Sequence, residues 1–188
     1  MLEKIYEILG VNPIDKEALM DLVPELRKLN EFGFYHPAHI YGVLDHSIKA
    51  AELVDDIFLK LVLIFHDIGK PNTAILVPNY DKSKPLVTKF PNHEKESARI
   101  AKELFENELD EERLNIFLKL IEFHDTPLVK IYNENVIEYL TNHYGNEFVG
   151  MLLKVQKADL VTHSEKYYKK LKAGFENSVN VYELKYKR

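Results

Sequence analysis

Leu61-Val62-Leu63-Ile64-Phe65-His66-Asp67-Ile68-Gly69-Lys70 is the stretch on which the reading of the chain turns. Five apolar residues in a row leave no face for water. The pattern predicts a helix over about Ile57 to Ile68 that is buried on all sides. It ends in His66 and Asp67, with Gly69 as the expected C-cap and Lys70 and Pro71 just beyond. An ionisable pair at the end of a buried helix is costly to desolvate unless a partner neutralises it. A salt bridge or a metal ion would serve, and the remaining segments decide between them.

With 188 residues, 46% hydrophobic and 29% charged, the chain can bury one sizeable core and has the balance of a soluble globular protein. A net charge of -5 supplies no overall attraction to nucleic acid or to an anionic membrane. The absence of cysteine excludes disulfides, thiolate catalysis and Cys-type zinc sites, so any metal falls to His and carboxylates. No apolar run is long enough to span a bilayer, and residues 1–7 lack a signal-peptide pattern, so a cytoplasmic location without membrane contact is expected.

In chain order, Leu2, Ile5 and Ile8 form a short helical stripe that stops near Gly10, and Leu19, Leu22, Val23, Leu26 and Leu29 form another that Pro24 kinks or breaks. Residues 30–39 read as a loop. A helix over about Ile40 to Val54 puts Val43, His46, Ala50, Leu53 and Ile57 on one face. Four prolines punctuate 71–92, and the β-prone pieces Ala74–Val77 and Leu86–Phe90 predict a small hairpin-like insertion around 74–90 that overhangs the preceding helix end. Asn92 is the expected N-cap of a helix running to Phe105, with His93 in its first turn. A further helix starts at Leu109 or Asp110, carries Leu114, Phe117, Leu118, Ile121 and His124 on one face, and ends at Thr126-Pro127. Residues 131–143 form a moderate helix. Gly145 divides it from a stronger one on which Phe148, Leu152, Val155, Asp159 and Thr162 share a face. The Tyr- and Lys-rich tail over 165–188 is expected to be helical to Gly174 and again near its end. The fold class is all-α, one domain over 1–188 with its core at about 20–165.

Three of these helices each set one metal-competent side chain on an otherwise apolar face: His46, His124 and Asp159. A fourth ends in His66 and Asp67, and a fifth begins with His93. Buried polar groups find partners, and six of them on five helices point to a shared one. Four His and two Asp suit Mn, Fe, Co, Ni, Zn or Mg.

The ordered set His46, then Phe65-His66-Asp67-Ile68-Gly69-Lys70, then Asn92-His93-Glu94, then Phe123-His124-Asp125, then Lys157-Ala158-Asp159 resembles the HD-domain metal-dependent phosphohydrolases. The resemblance covers roughly 20–165 and implies an HD-domain helical bundle. Residues 66–73, the insertion and 89–98, with the lead-in Leu22–Leu26, Tyr35–Ala38 and Val43–His46, are similar to the HD region of bacterial tRNA nucleotidyltransferases, here standing alone. The resemblance implies one divalent ion on His46, His66, Asp67 and Asp159, and positions His93 and His124 for a second ion bridged by Asp67. It implies hydrolysis of a phosphate ester, as a phosphodiesterase or phosphatase acting on nucleotides or RNA ends. The alternative is a non-catalytic metal-containing module that binds nucleotide or RNA.

Around the ligands, Lys70 is a candidate for a phosphate contact, although a cation at that position also suits a helix C-terminus. Glu94 and Asp67 are candidates for orienting water or handling its proton, although a role at the helix N-terminus explains Glu94 better. His36, Thr73 and Arg99 are candidate substrate contacts, with Lys89 beside them. His39, His143 and His163 read as solvated or structural, with His163 four residues beyond Asp159 and able to support it. RNA is a candidate partner for the tail. Packing of an amphipathic helix on the body explains the tail better in so acidic a chain.

Overall fold

The apolar run forms the central helix of the protein, α5 (Ile57–Phe65), and Leu59 and every residue from Leu61 to Phe65 are inaccessible to solvent. Asp56 caps its N-terminus, accepting hydrogen bonds from the backbone N–H groups of Phe58 (2.9 Å) and Leu59 (3.2 Å). The computed structural model describes residues 1–125 and 134–186. The expected helix end at Thr126-Pro127, the start of the 131–143 helix and the last two residues of the tail lie outside the described residues.

Before α5 come α1 (Leu2–Leu9), α2 (Lys16–Leu22), α3 (Pro24–Glu31) and α4 (Val43–Ala51). After it come α6 (Lys70–Thr73), the strands β1 (Ile75–Val77) and β2 (Val87–Lys89), then α7 (His93–Phe105), α8 (Glu111–Phe123), α9 (Glu134–Val161) and α10 (Glu165–Lys185). The architecture is all-α with one antiparallel hairpin, in which Leu76 pairs with Thr88. Helices α1, α4, α8 and α9 surround α5. Phe65, Phe105 and Phe117 meet edge to face, with ring centres 4.9 Å (65–105) and 5.3 Å (105–117) apart, and so lock α5, α7 and α8 together.

The break expected at Pro24 is present: Pro24 opens a new helix at its first turn, where its missing N–H costs nothing, so Val23 separates α2 from α3. Other local expectations need correction. Helix α4 spans only Val43–Ala51; Leu53 and Ile57 fall beyond its face and are 55% and 37% exposed. Asn92 caps nothing with its side chain; it takes a left-handed conformation (φ 57°, ψ 25°) that turns the chain into α7. The tail is one helix through Gly174, and α10 packs on α9 with Leu171, Phe175 and Ser178 buried. Gly145 does break α9, at φ 86° and ψ 165°.

Gly69 is not the C-cap of α5. That position belongs to His66, and Gly69 lies in the right-handed helical region (φ -80°, ψ -10°) before α6. What the position requires is the absence of a side chain. A Cβ there would lie 2.5 Å from the Ser97 nitrogen and 2.8 Å from the His93 carbonyl oxygen. The backbone of α7 therefore rests directly on Gly69, and the Gly69 N–H donates to Ser97 Oγ at 2.9 Å.

Candidate metal centre

That close approach brings the start of α7 against the end of α5, and the end of α8 joins them. His66 and His124 are the C-cap residues of α5 and α8, and His93 is the first residue of α7. The negative ends of two helix dipoles therefore face one point, which favours a cation there. His46 enters from the middle of α4, and Asp159 from the last turn of α9. His46, His66, Asp67, His93 and His124 are all buried, and Asp159 keeps 19% of its side chain exposed.

The imidazoles share a mode of fixation. Nδ1 of His66 bonds the Leu63 carbonyl at 2.6 Å, Nδ1 of His124 bonds that of Ile121 at 2.6 Å, and Nδ1 of His93 bonds that of Phe90 at 2.8 Å. A carbonyl accepts only, so each Nδ1 carries a proton and each Nε2 is the nitrogen turned to the centre, where those of His93 and His124 meet at 3.2 Å. Two of these bonds also satisfy carbonyls at helix ends. His46 Nδ1 meets Thr162 Oγ1 at 3.0 Å, and that hydroxyl donates to the Asp159 carbonyl oxygen at 2.7 Å, so His46 also turns Nε2 to the centre.

The Nε2 atoms converge on two carboxylates. His46 Nε2 lies 2.7 Å from Asp159 Oδ1, and His66 Nε2 lies 3.5 Å from the same atom and 3.3 Å from Asp67 Oδ2. On the other side of Asp67, Oδ1 stands 3.3 Å from His93 Nε2 and 3.6 Å from His124 Nε2. Two triads result, His46–His66–Asp67 and Asp67–His93–His124, each with its ligand atoms within 4.8 Å of one another. Asp67 belongs to both. His66 Nε2 and Asp67 Oδ1 are buried without a hydrogen bond. Native interiors rarely leave such atoms orphaned, and divalent cations in the two triads would satisfy them, so the residues present fit a metal.

The charges are arranged around Asp67. Lys70 Nζ lies 2.5 Å from its Oδ2, and both side chains are buried. Burial would raise the pKa of Asp67, but His66 and Lys70 hold it well below the usual carboxylate range. Asp159 is held low in the same way by His163, His46 and His66. Burial opposes the charged form of His66, yet the two carboxylates, Asp67 foremost, push it up to about 10. In His46 burial prevails over Asp159, and its pKa is lowered.

A cavity of about 230 Å³ opens onto the two carboxylates, His93 and His124. Of the candidate substrate contacts, His36, Lys70 and Lys89 line it. Lys70 does so while bound to Asp67 and stacked 5.3 Å from the Phe90 ring centre. Glu94 stands 3.6 Å from His93 Nδ1, away from the cavity wall. Thr73 turns its hydroxyl to the Gly69 carbonyl at 3.4 Å. Arg99 lies on the exposed side of α7, paired with Glu96 (2.8 Å) and Glu103 (2.6 Å), and is not brought to the centre. His39, His163 and Tyr167 join the cavity wall instead. The sequence signal for His163 was its i+4 spacing from Asp159; His39 sits in a loop without periodicity and offered none. Burial keeps His39 far below the ordinary imidazole pKa, hence neutral. A larger depression of about 810 Å³, lined by Tyr6, Phe58 and Tyr144, lies apart from the ligands.

Comparison with known families agrees with this geometry. The model of the HD domain matches residues 38–159, which is 122 of 188 and ends on Asp159. Comparison with curated proteins gives no match.

Proposed function

Since the chain belongs to the HD domain family, a family of metal-dependent hydrolases, we propose that it is a metal-dependent phosphohydrolase acting on nucleotides or RNA ends, as a phosphatase or a phosphodiesterase. The observation that carries this reading is the pair of buried triads joined through Asp67, with every Nε2 fixed toward the centre by a hydrogen bond at Nδ1. His46, His66, Asp67 and Asp159 would hold one divalent ion, and Asp67, His93 and His124 a second. When bound, such ions supply a water of lowered pKa and neutralise charge on a phosphoryl oxygen.

The protein's own groups have distinct tasks in this reading. Asp67 stays ionised, so it can ligate without first losing a proton. Lys70, Lys89 and His36 line the path to the carboxylates and attract and orient an anionic group. Phe90 and Tyr167 border the same cavity and exclude water from it. The likeness of 66–73 and 89–98 to the HD region of tRNA nucleotidyltransferases supports nucleotides or RNA ends as the substrate class.

The test is chelator treatment of the full chain, metal analysis, and readdition of Mn, Fe, Co, Ni, Zn or Mg singly. Each loaded sample is offered nucleotides, cyclic nucleotides and short RNAs, and phosphate or nucleoside release is measured. Metal uptake with turnover is expected. Uptake with tight nucleotide binding but no turnover would replace the hydrolase with a binding module, and no uptake would sink both.

A further inference from the structure

Beside the imidazoles, two aromatic side chains border the cavity, Phe90 and Tyr167, and they are not equivalent. Phe90 is already engaged. The Lys70 ammonium lies over its ring, 5.3 Å from the centre, and Phe32 and Phe34 pack against it with ring centres 6.2 and 5.4 Å away. Tyr167 instead continues a run of rings. It stacks on His163 at 4.9 Å between centres and 29° between planes, and His163 stands 4.7 Å from His39.

This aromatic wall is held in place from the metal centre outward. His163 Nδ1 bonds the Asp159 carbonyl at 2.8 Å, and the Ser164 N–H donates to the Ala38 carbonyl at 2.7 Å, which ties the loop of His39 to the start of α10. The lining of the cavity therefore divides by chemistry. Lys70 of α6 and Lys89 of β2 supply positive charge, whereas His39, His163 and Tyr167 supply ring surface. A nucleotide divides in the same way, into an anionic phosphate and a flat base. The spacing also fits. His163 Nδ1 is 3.8 Å from Asp159 Oδ1, and Tyr167 is the next ring beyond it, so one imidazole separates the carboxylates from Tyr167. In a nucleotide, the ribose bridges an interval of that kind.

We propose that Tyr167 is the specificity-determining residue that recognises the base of a nucleotide, carrying it as the next ring of the His39–His163–Tyr167 wall while the phosphate occupies the metal end of the cavity. Every base has a π-face, so such a platform accepts any base and selects nucleotides over phosphate esters that lack one. The position of the phosphate rests on the phosphohydrolase reading above.

The experiment measures binding without turnover. The methylenephosphonate analogues of AMP and of ribose 5-phosphate, whose C–P bond resists hydrolysis, are titrated calorimetrically into the full chain with and without Zn(II). Stacking of one base is worth roughly 5- to 150-fold in affinity. Wild type is expected to prefer the AMP analogue by a factor in that range, Tyr167→Phe to keep the preference, and Tyr167→Ala to abolish it while binding the ribose analogue as wild type does. Tyr167→Leu serves if the alanine variant fails to fold. Equal binding of the two analogues by wild type, no binding of the AMP analogue, or a preference retained in a folded Ala or Leu variant would overturn the proposal. Phosphate release from AMP is assayed separately on the metal-loaded chain. Release without a base preference would strike Tyr167 and leave the hydrolase standing, and a preference carried by Tyr167 without release from any ester would strike the hydrolase and leave the platform.

Discussion

Gly69→Ala is the sharpest perturbation of the centre, because it touches no ligand. Two effects oppose each other. The backbone at Gly69 is ordinary right-handed helix, where alanine should gain about 0.4–1 kcal/mol by restricting the unfolded chain. Against this, the new Cβ would lie 2.5 Å from Ser97 N, 2.8 Å from His93 O and 2.9 Å from Glu96 C. Relaxed contacts are about 3.5–4.0 Å. All three atoms are backbone, so α7 as a whole must retreat by about 1 Å. Overpacking of this kind costs about 1–3 kcal/mol, and stretching the Gly69 N–H bond to Ser97 adds about 1 kcal/mol. The clash wins, and a melting temperature several degrees lower is expected, at about 2–4 °C per kcal/mol for a chain of this size. His93 moves with the helix. Metal–ligand distances tolerate about 0.2 Å, so the ion on Asp67, His93 and His124 should be lost while that on His46, His66, Asp67 and Asp159 is kept. Circular dichroism melts and metal counts check both parts. Unchanged melting with full metal content would refute the claim that backbone contact at Gly69 positions His93.

Other outcomes follow from the charges. Lys70→Met removes the buried partner of Asp67 and should destabilise the metal-free protein by about 3–5 kcal/mol; the loss should shrink on metal loading, which urea denaturation with and without ions will show. The metal-free protein should also be most stable near pH 6.5, because His39 and His46 are lowered from that value and their contribution falls away as pH drops below it. Asp67 and Asp159 titrate lower when folded, so their contribution is present above the ordinary value of 3.8 and is lost as pH falls below it. His66 is raised from 6.5 to about 10, so its contribution is full below 6.5 and is lost as pH rises through about 10. Urea midpoints that climb between pH 7 and 10 would contradict this. Arg99→Ala should change stability by no more than about 0.5 kcal/mol and leave turnover intact; a large fall in turnover would return Arg99 to the substrate path.

The central helix and the buried His and Asp residues of the centre were legible because burial is written in periodicity. Leu61 to Phe65 could only be core, and His46, His124 and Asp159 stood out as polar residues on apolar stripes. Sequence reasoning was weakest where a residue's role depends on a segment distant in the chain. Gly69 was read locally as a cap, whereas its function is to admit α7, whose backbone lies 28 residues further on. His39 reads as solvated or structural because its loop has no pattern of its own; Thr88 and Ser164 hold that loop from remote elements. Lys70 reads as a phosphate contact or a cation at a helix end, and the short ion pair that occupies it with Asp67 is a matter of tertiary geometry.

The contact between His46 and Asp159 joins positions 113 residues apart. In folding terms, an ion held by this pair would be a reporter of topology. Partners so distant meet only after the loop-closure entropy of the intervening chain has been met. The α5–α7 contact at Gly69 spans a quarter of that distance, at 28 residues, and can form earlier. A refolding chain should therefore hold Asp67 against His93 before it holds His46 against Asp159, and an ion that needs Asp159 beside His46, His66 and Asp67 would be taken up only once α9 docks.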